Sequence, residues 1–301
     1  MELIVKHLKK QYDDVIAVDN ISFTMGKGVY GLLGANGAGK TTFMRMLCNI
    51  LKPSSGEILY DGENINELGE KYREVLGYLP QKFGYYPEFT AKEFMLYVCA
   101  LKGLNPTDAK ARTEELLSYV GLRKVQNKKI KKFSGGMKQR LGIAQSVIND
   151  PKILVLDEPT CGLDPKERVR FRNLIADLSQ NKIVLLSTHI VSDIEYIADQ
   201  IFVMKKGELF LRGSVEELLE TMDGKVWECE FKGIDSDEIL ERFNVANMHH
   251  RDGEIVYRIV SDEIPSDGAR VVSATLEDLY LYHFSELSEE GGAQGEESSA
   301  I

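Results

Sequence analysis

Two stretches, 152–156 and 182–187, open on a lysine and continue as four apolar residues rich in Ile, Val and Leu, with nothing polar between them. Strands with one face in water alternate apolar and polar positions, whereas strands covered on both faces by helices do not. Helical stretches fall around them, at 90–102, 107–120, 136–149 and 165–179, the third read as amphipathic. Strands of this kind alternating with helices predict an α/β fold with a mostly parallel sheet.

The beginning of the chain has a different pattern. Segments 2–8 and 15–25 read as antiparallel strands around a turn at Tyr12, Asp13 and Asp14, and 56–60, before Asp61 and Gly62, reads as a further hairpin edge. An antiparallel β-subdomain beside the α/β core is expected. Around 213–223 the pattern resets: 225–231 and 254–260 alternate like half-buried strands, and 237–243 and 276–284 resemble short helices. Asp252 and Gly253 mark a hairpin turn. A small separate α+β unit over 222–285 follows from this, and no internal repeat is visible.

A length of 301 residues and 43% hydrophobic content suit one large core plus a smaller unit. The formal charge of −10 is uneven: Glu286, Glu289, Glu290, Glu296 and Glu297 lie in a terminal stretch without Lys or Arg. Residues 286–301 are therefore expected to be an acidic disordered tail, leaving a mildly acidic folded part. That balance lacks the basic footprint of nonspecific nucleic-acid binding, and no nucleic-acid partner is expected. A basic run of Arg123, Lys124, Lys128, Lys129, Lys131 and Lys132 reads best as a solvated face. Cys48, Cys99, Cys161 and Cys229 are widely spaced, which suggests neither a disulfide framework nor a zinc site. The N-terminus lacks a signal-peptide pattern, and no run reaches the roughly 18 apolar residues needed to span a bilayer. Any membrane-spanning part would come from another chain.

The chemistry is concentrated at 34–41, G-A-N-G-A-G-K-T, between an apolar strand at 29–33 and a helix start at 42–47. Two glycines five apart followed by lysine and a hydroxyl residue form a phosphate-binding loop, whose backbone must wrap around phosphate oxygens. Gly34, Gly37 and Gly39 permit the close approach; Lys40 supplies charge to the β- and γ-phosphates; the Thr41 hydroxyl contributes to a Mg²⁺ shell. No second loop of this kind occurs. Asp157 and Glu158 end the strand at 152–156, at the carboxyl edge where ligands of open α/β sheets bind. Asp157 is the candidate Mg²⁺ ligand and Glu158 the candidate for polarising an attacking water, although taken alone the pair reads better as a solvated loop. Ser134, Gly135 and Gly136, at a helix start, read either as a second anion site or as an ordinary N-cap with flexible glycines.

Taken in order, these segments resemble the ATP-binding cassette ATPases, the nucleotide-binding subunits of ABC transporters. The resemblance covers about 2–218, so 1–218 is expected to be a nucleotide-binding domain, with a helical signature subdomain inserted into the P-loop cassette. It implies that Gly34, Ala35, Asn36, Gly37, Ala38, Gly39, Lys40, Thr41 and Thr42 bind ATP and that Tyr12 stacks on adenine. By the same resemblance Gln81 touches Mg²⁺ and the attacking water, His189 hydrogen-bonds the γ-phosphate, and G-L-D-P at 162–165 is the loop between paired subunits. Ser134, Gly135 and Gly136 would bind the ATP held by a second cassette. The family signature is usually Leu-Ser-Gly-Gly-Gln, whereas Phe133 and Met137 flank the motif here. That variant, and A-T-L-E-D-L-Y at 274–280, resemble the cassettes of ABC-2 type exporters of antibiotics, peptides or sodium. The implied partners are an integral membrane permease and a second cassette, with the chain peripheral on the cytoplasmic face. Tyr85, Tyr86, Pro87 and Phe89 read either as a groove for a permease helix or as local packing. The competing reading is a non-transport ATPase of the superfamily, a translation factor or a DNA-maintenance enzyme. The first normally carries two cassettes and the second a long coiled coil, and neither is seen here.

Overall fold

The computed structural model describes residues 1–231, 234–251 and 253–284. Asp252 of the expected hairpin turn and the expected tail at 286–301 lie outside the described residues. The chain divides into two compact units, Met1–Arg212 and a second from Gly213 onward.

In the first unit, β1 (Leu3–Tyr12), β2 (Val15–Met25), β3 (Gly28–Leu33), helix α1 (Lys40–Leu47), β4 (Ser55–Tyr60) and β5 (Glu63–Asn64) come first. Two short helices follow, α2 (Ile65–Leu68) and α3 (Glu70–Val75), then β6 (Leu76–Leu79). Next are α4 (Ala91–Leu101), α5 (Pro106–Tyr119), α6 (Gly135–Ser146), β7 (Ile153–Asp157) and α7 (Pro165–Leu178). The unit closes with β8 (Ile183–Ser187), α8 (Val191–Glu195), β9 (Gln200–Lys205) and β10 (Glu208–Gly213), whose last residue belongs to the second unit.

The apolar runs at β7 and β8 lie side by side, wholly buried, in a six-stranded sheet of order β10-β9-β3-β8-β7-β6. β3 pairs in parallel with β8 and β9, and β7 with β8 and β6. This register brings the carboxyl ends of β3, β7 and β8 together, where the phosphate-loop motif, Asp157 and Ser187 emerge. A second, four-stranded sheet of order β2-β1-β4-β5 is antiparallel. One core joins both sheets through α1: Phe23 packs on Phe43 at 5.7 Å and on Phe202 at 4.5 Å between ring centroids. Each such buried ring contributes about 1.5–3 kcal/mol relative to exposure.

Helices α4, α5 and α6 pack on one another as the helical subdomain. Thr90 and Glu93 close a reciprocal capping box that starts α4. The amphipathic helix expected over 136–149 is instead a shorter helix buried nearly all round, including Arg140, Leu141, Gly142, Ile143, Ala144 and Ser146. Its neighbours are α4, α5 and β6, so it has no broad solvent face to be polar. Arg140 is tolerated there because Glu167 lies 3.1 Å from its Nε and the Val120 carbonyl accepts from its guanidinium. Within the basic run, Lys129 and Lys131 both pair with Glu88. The Tyr86 ring packs on Phe89 and Tyr97, so the aromatic segment after Gln81 is partly explained by contact with α4.

The second unit adds α9 (Val215–Glu220), β11 (Val226–Glu230), α10 (Ser236–Arg242), β12 (Asn244–Arg251), β13 (Glu254–Val260), β14 (Arg270–Val271) and α11 (Leu276–Phe284). Its antiparallel sheet has the order β12-β13-β11-β14, and Cys229, Ile239, Tyr257 and Ile259 form its core. The four cysteines are free thiols, three of them buried.

Asp278, at the start of α11, is 1% exposed and accepts from Arg258 at 2.6 and 2.9 Å and from the Thr275 amide and hydroxyl. Burial pushes its carboxyl up, but the hydrogen bonds from Arg258 and Thr275 outweigh that and hold it below the usual aspartate value. A carboxyl with a depressed folded pKa stabilises above its unfolded value, near 4, and loses that contribution as pH falls through the folded one. Asp278→Asn is expected to destabilise this unit by about 3–5 kcal/mol at pH 7, because Arg258 is left without its counter-charge. Denaturant unfolding should show the gap between variant and parent closing as the pH drops below about 4; a pH-independent gap would refute the ion-pair account.

Candidate ATP site

Helix α1 starts without a side-chain cap. Gly39 is its N-cap, with φ 101° in the left-handed region, so the first amide N–H groups of α1 remain for a ligand. A Cβ at Gly39 would stand 2.2 Å from the Ala17 carbonyl oxygen, and one at Gly34 would stand 2.5 Å from that of Met204. These two glycines are thus demanded by the chain's own close packing. Gly37, at φ 84°, is different: nothing lies within 4 Å of where its Cβ would be, so it faces the open cradle.

Lys40 is 7% exposed, and its ammonium donates to the carbonyls of Gly34 at 2.7 Å and Ala35 at 3.1 Å. Burial lowers its pKa from the ordinary lysine value, while Glu158 and then Asp157 pull it back up. The cleft is lined by Ala17, Asn36, Gly37, Ala38, Gly39, Lys40, Thr41, Thr42, Gln81 and Glu158.

Asp157 ends β7, Glu158 follows it and lines the cleft, and both are almost fully buried. The Thr41 hydroxyl lies 3.5 Å from Asp157 Oδ1, so α1 and β7 bring a hydroxyl and a carboxylate together across 116 residues of sequence. Among the described residues no group of three or more His, Cys, Asp or Glu is arranged to hold a metal. Oxygen donors this few, beside a phosphate loop, suit a hard cation that keeps phosphate and water ligands, as Mg²⁺ does. Half-exposed His189, just past β8, places Nδ1 2.7 Å from Glu158 Oε2. Glu158 itself has φ 49°, an unusual backbone conformation for a residue with a side chain.

Not every expected site residue gathers here. Tyr12 is 44% exposed with Lys10 over its ring, and it pairs with Val15 at the end of the hairpin whose β2 strand carries Ala17 into the cleft. Ser134, Gly135 and Gly136 are outside the cleft lining. The Ser134 side chain accepts from the Met137 amide as the N-cap of α6, and a Cβ on Gly136 would stand 2.8 Å from the Glu167 carboxylate. Ser187, which the motif reading did not single out, contacts both Asp157 and the Glu158 amide.

The chain is similar to known proteins. A family model described as ABC transporter matches residues 18–161. Over 233 residues the chain is 40% identical to an uncharacterized ABC transporter ATP-binding protein, YxlF, of Bacillus subtilis, covering 76% of this chain and 77% of that protein. The chain belongs to the ATP-binding subunits of ABC transporters. The chain is also 33% identical over 291 residues to Nod factor export ATP-binding protein I of Burkholderia lata, covering 92% of this chain and 94% of that one. Among solved structures, a dimeric bacterial ABC transporter cassette superposes with a TM-score of 0.65 at 25% identity, covering 70% of this chain and 98% of that chain. The cassette is accordingly an ATP-binding ABC ATPase with the α/β P-loop fold expected from its sequence.

Proposed function

We propose that this cassette powers an ABC-2 type exporter, working in pairs that close on two ATP molecules and drive a membrane permease made by another chain. The observation that carries the paired reading is that Ser134, Gly135 and Gly136 stand apart from the one phosphate cradle of their own chain. A second copy lets that motif meet the cradle from outside, and the dimeric cassette of the same fold supports this. Export is supported by the similarity to a Nod factor export subunit. Among the described residues no helix is long and apolar enough to cross a membrane. The permease is assigned to a separate chain and the cassette to the cytoplasmic face, in keeping with membership of the ATP-binding subunits of ABC transporters. Residues 222–285, which fall in the unit from Gly213 onward, are assigned as a small accessory domain.

Within the cleft, the glycine-rich turn and the α1 amides bind the β- and γ-phosphates, and Lys40 adds its charge. Thr41, Asp157 and Gln81 would hold Mg²⁺, which when bound neutralises charge on the phosphate oxygens. Glu158 orients the attacking water and takes its proton. His189, whose Nδ1 lies against Glu158, is the residue assigned to hydrogen-bond the γ-phosphate.

Tyr12 is assigned to adenine. Stacking on an aromatic ring is worth about 1–3 kcal/mol, so Tyr12→Ala should weaken ATP binding roughly 5- to 100-fold in a fluorescent-nucleotide titration with kcat unchanged. Unchanged affinity would make Tyr12 a turn residue only. The transporter reading is tested by retrieving tagged Glu158→Gln protein with ATP from detergent-solubilised membranes of its source cells. Recovery of a stoichiometric integral membrane protein is the expected outcome; recovery of ribosomes or DNA instead would overturn it.

A further inference from the structure

We propose that Ser187 is a positioning residue for ATP hydrolysis, holding Glu158 in its working conformation through one hydroxyl shared with Asp157. This rests on the assignment of Glu158 as the group that activates water.

Ser187 ends β8 directly opposite Asp157 in the parallel register, and it is fully buried after four apolar residues. Its Oγ donates to Asp157 Oδ1 at 2.7 Å and accepts from the Glu158 amide at 3.0 Å. A hydroxyl has a single proton, so giving it to the carboxylate turns a lone pair toward the amide. The Ser187 carbonyl accepts from the same amide at 3.2 Å. The Glu158 N–H is therefore held by two oxygens of one residue.

That grip falls at a strained point. Glu158, at φ 49°, occupies the left-handed region, which residues with side chains seldom hold unless their surroundings fix it. In this conformation the chain turns sharply after Asp157, and the Glu158 carboxylate meets His189 Nδ1. Removing the hydroxyl leaves the amide only the longer carbonyl contact and takes one donor from buried Asp157. Glu158 would then sample backbone conformations that carry its carboxylate away from the attacking water. The residues assigned to nucleotide and Mg²⁺, which are Tyr12, the loop, Lys40, Thr41, Gln81 and Asp157, all remain, so ATP affinity is expected to stay near the parental value.

The test is steady-state hydrolysis by the full chain in four forms: parent, Ser187→Ala, Glu158→Gln and the double variant, with folding checked by thermal unfolding. Ser187→Ala is expected to lower kcat about 10- to 100-fold with the ATP KM within twofold of the parent. On the Glu158→Gln background, where no base remains to be positioned, the same substitution should change the residual rate by less than twofold. A Ser187→Ala kcat of at least half the parental value beside an inactive Glu158→Gln overturns the positioning proposal alone. So does an equal loss on both backgrounds, which marks general damage. Parental turnover in Glu158→Gln overturns the base assignment instead. Should Ser187→Ala unfold, Ser187→Cys, close in size but a weak donor, is read in the same way.

Discussion

Replacing Glu158 with glutamine is expected to leave ATP binding intact and slow hydrolysis about 10²–10⁴-fold, the range a positioned general base contributes. The substitution is nearly isosteric. The amide can still bond His189 Nδ1, and the backbone N–H keeps its two oxygens on Ser187. What disappears is the capacity to accept a proton from water. Burial sharpens the effect: Glu158 is 6% exposed, so bulk water does not readily replace the missing base. Single-turnover hydrolysis of pre-bound ATP isolates this step from nucleotide exchange, and a parental rate would remove Glu158 from the mechanism.

The second large effect concerns binding. Lys40→Ala should weaken ATP affinity by about 3 kcal/mol, roughly a hundredfold, the magnitude of one or two charge-assisted hydrogen bonds. Lys40 holds a charge in a nearly dry place on two backbone carbonyls, an arrangement unfavourable enough to pull its pKa down. Such a charge gains most when an anion arrives. The same two bonds pin the loop from Gly34 to Ala35, so the variant loses the preformed shape of the cradle along with the charge. Calorimetric titration reads both, as weaker affinity and a larger entropic cost of binding. Affinity within a few-fold of the parent would mean that the backbone amides alone hold the phosphates.

The strands β7 and β8 were legible because they are covered on both faces and so read as unbroken apolar runs. The phosphate loop was legible because its glycines answer to local demands, the Ala17 and Met204 carbonyls at Gly39 and Gly34. Strand β12 was not. From Ala246 to Arg251 it is exposed on both faces, so its Asn, His and Arg residues carry no alternation to detect. Helix α6 was misread as amphipathic because its polar residues find partners inside the fold, Arg140 with Glu167 and Gln145 with the Tyr78 carbonyl. A sequence reading treats such residues as solvent-facing. Ser187 escaped for a similar reason. One hydroxyl at a strand end has no pattern, and its meaning comes only from the β7–β8 register that sets it opposite Asp157. Ser134, Gly135 and Gly136 were recognisable as a motif, yet within their own chain they lie outside the cleft lining, and the ligand proposed for them is one held by a second copy.

Pairing on ATP is the centre of the account, and the mass of the Glu158→Gln chain in solution measures it. With saturating ATP and Mg²⁺, light scattering should show the 33.9 kDa chain moving to twice that mass with one nucleotide bound per chain. It should return to the single-chain mass when nucleotide is removed. A particle that keeps the single-chain mass at saturating ATP, while the parent hydrolyses ATP at a rate per chain independent of protein concentration, would contradict the paired cassette.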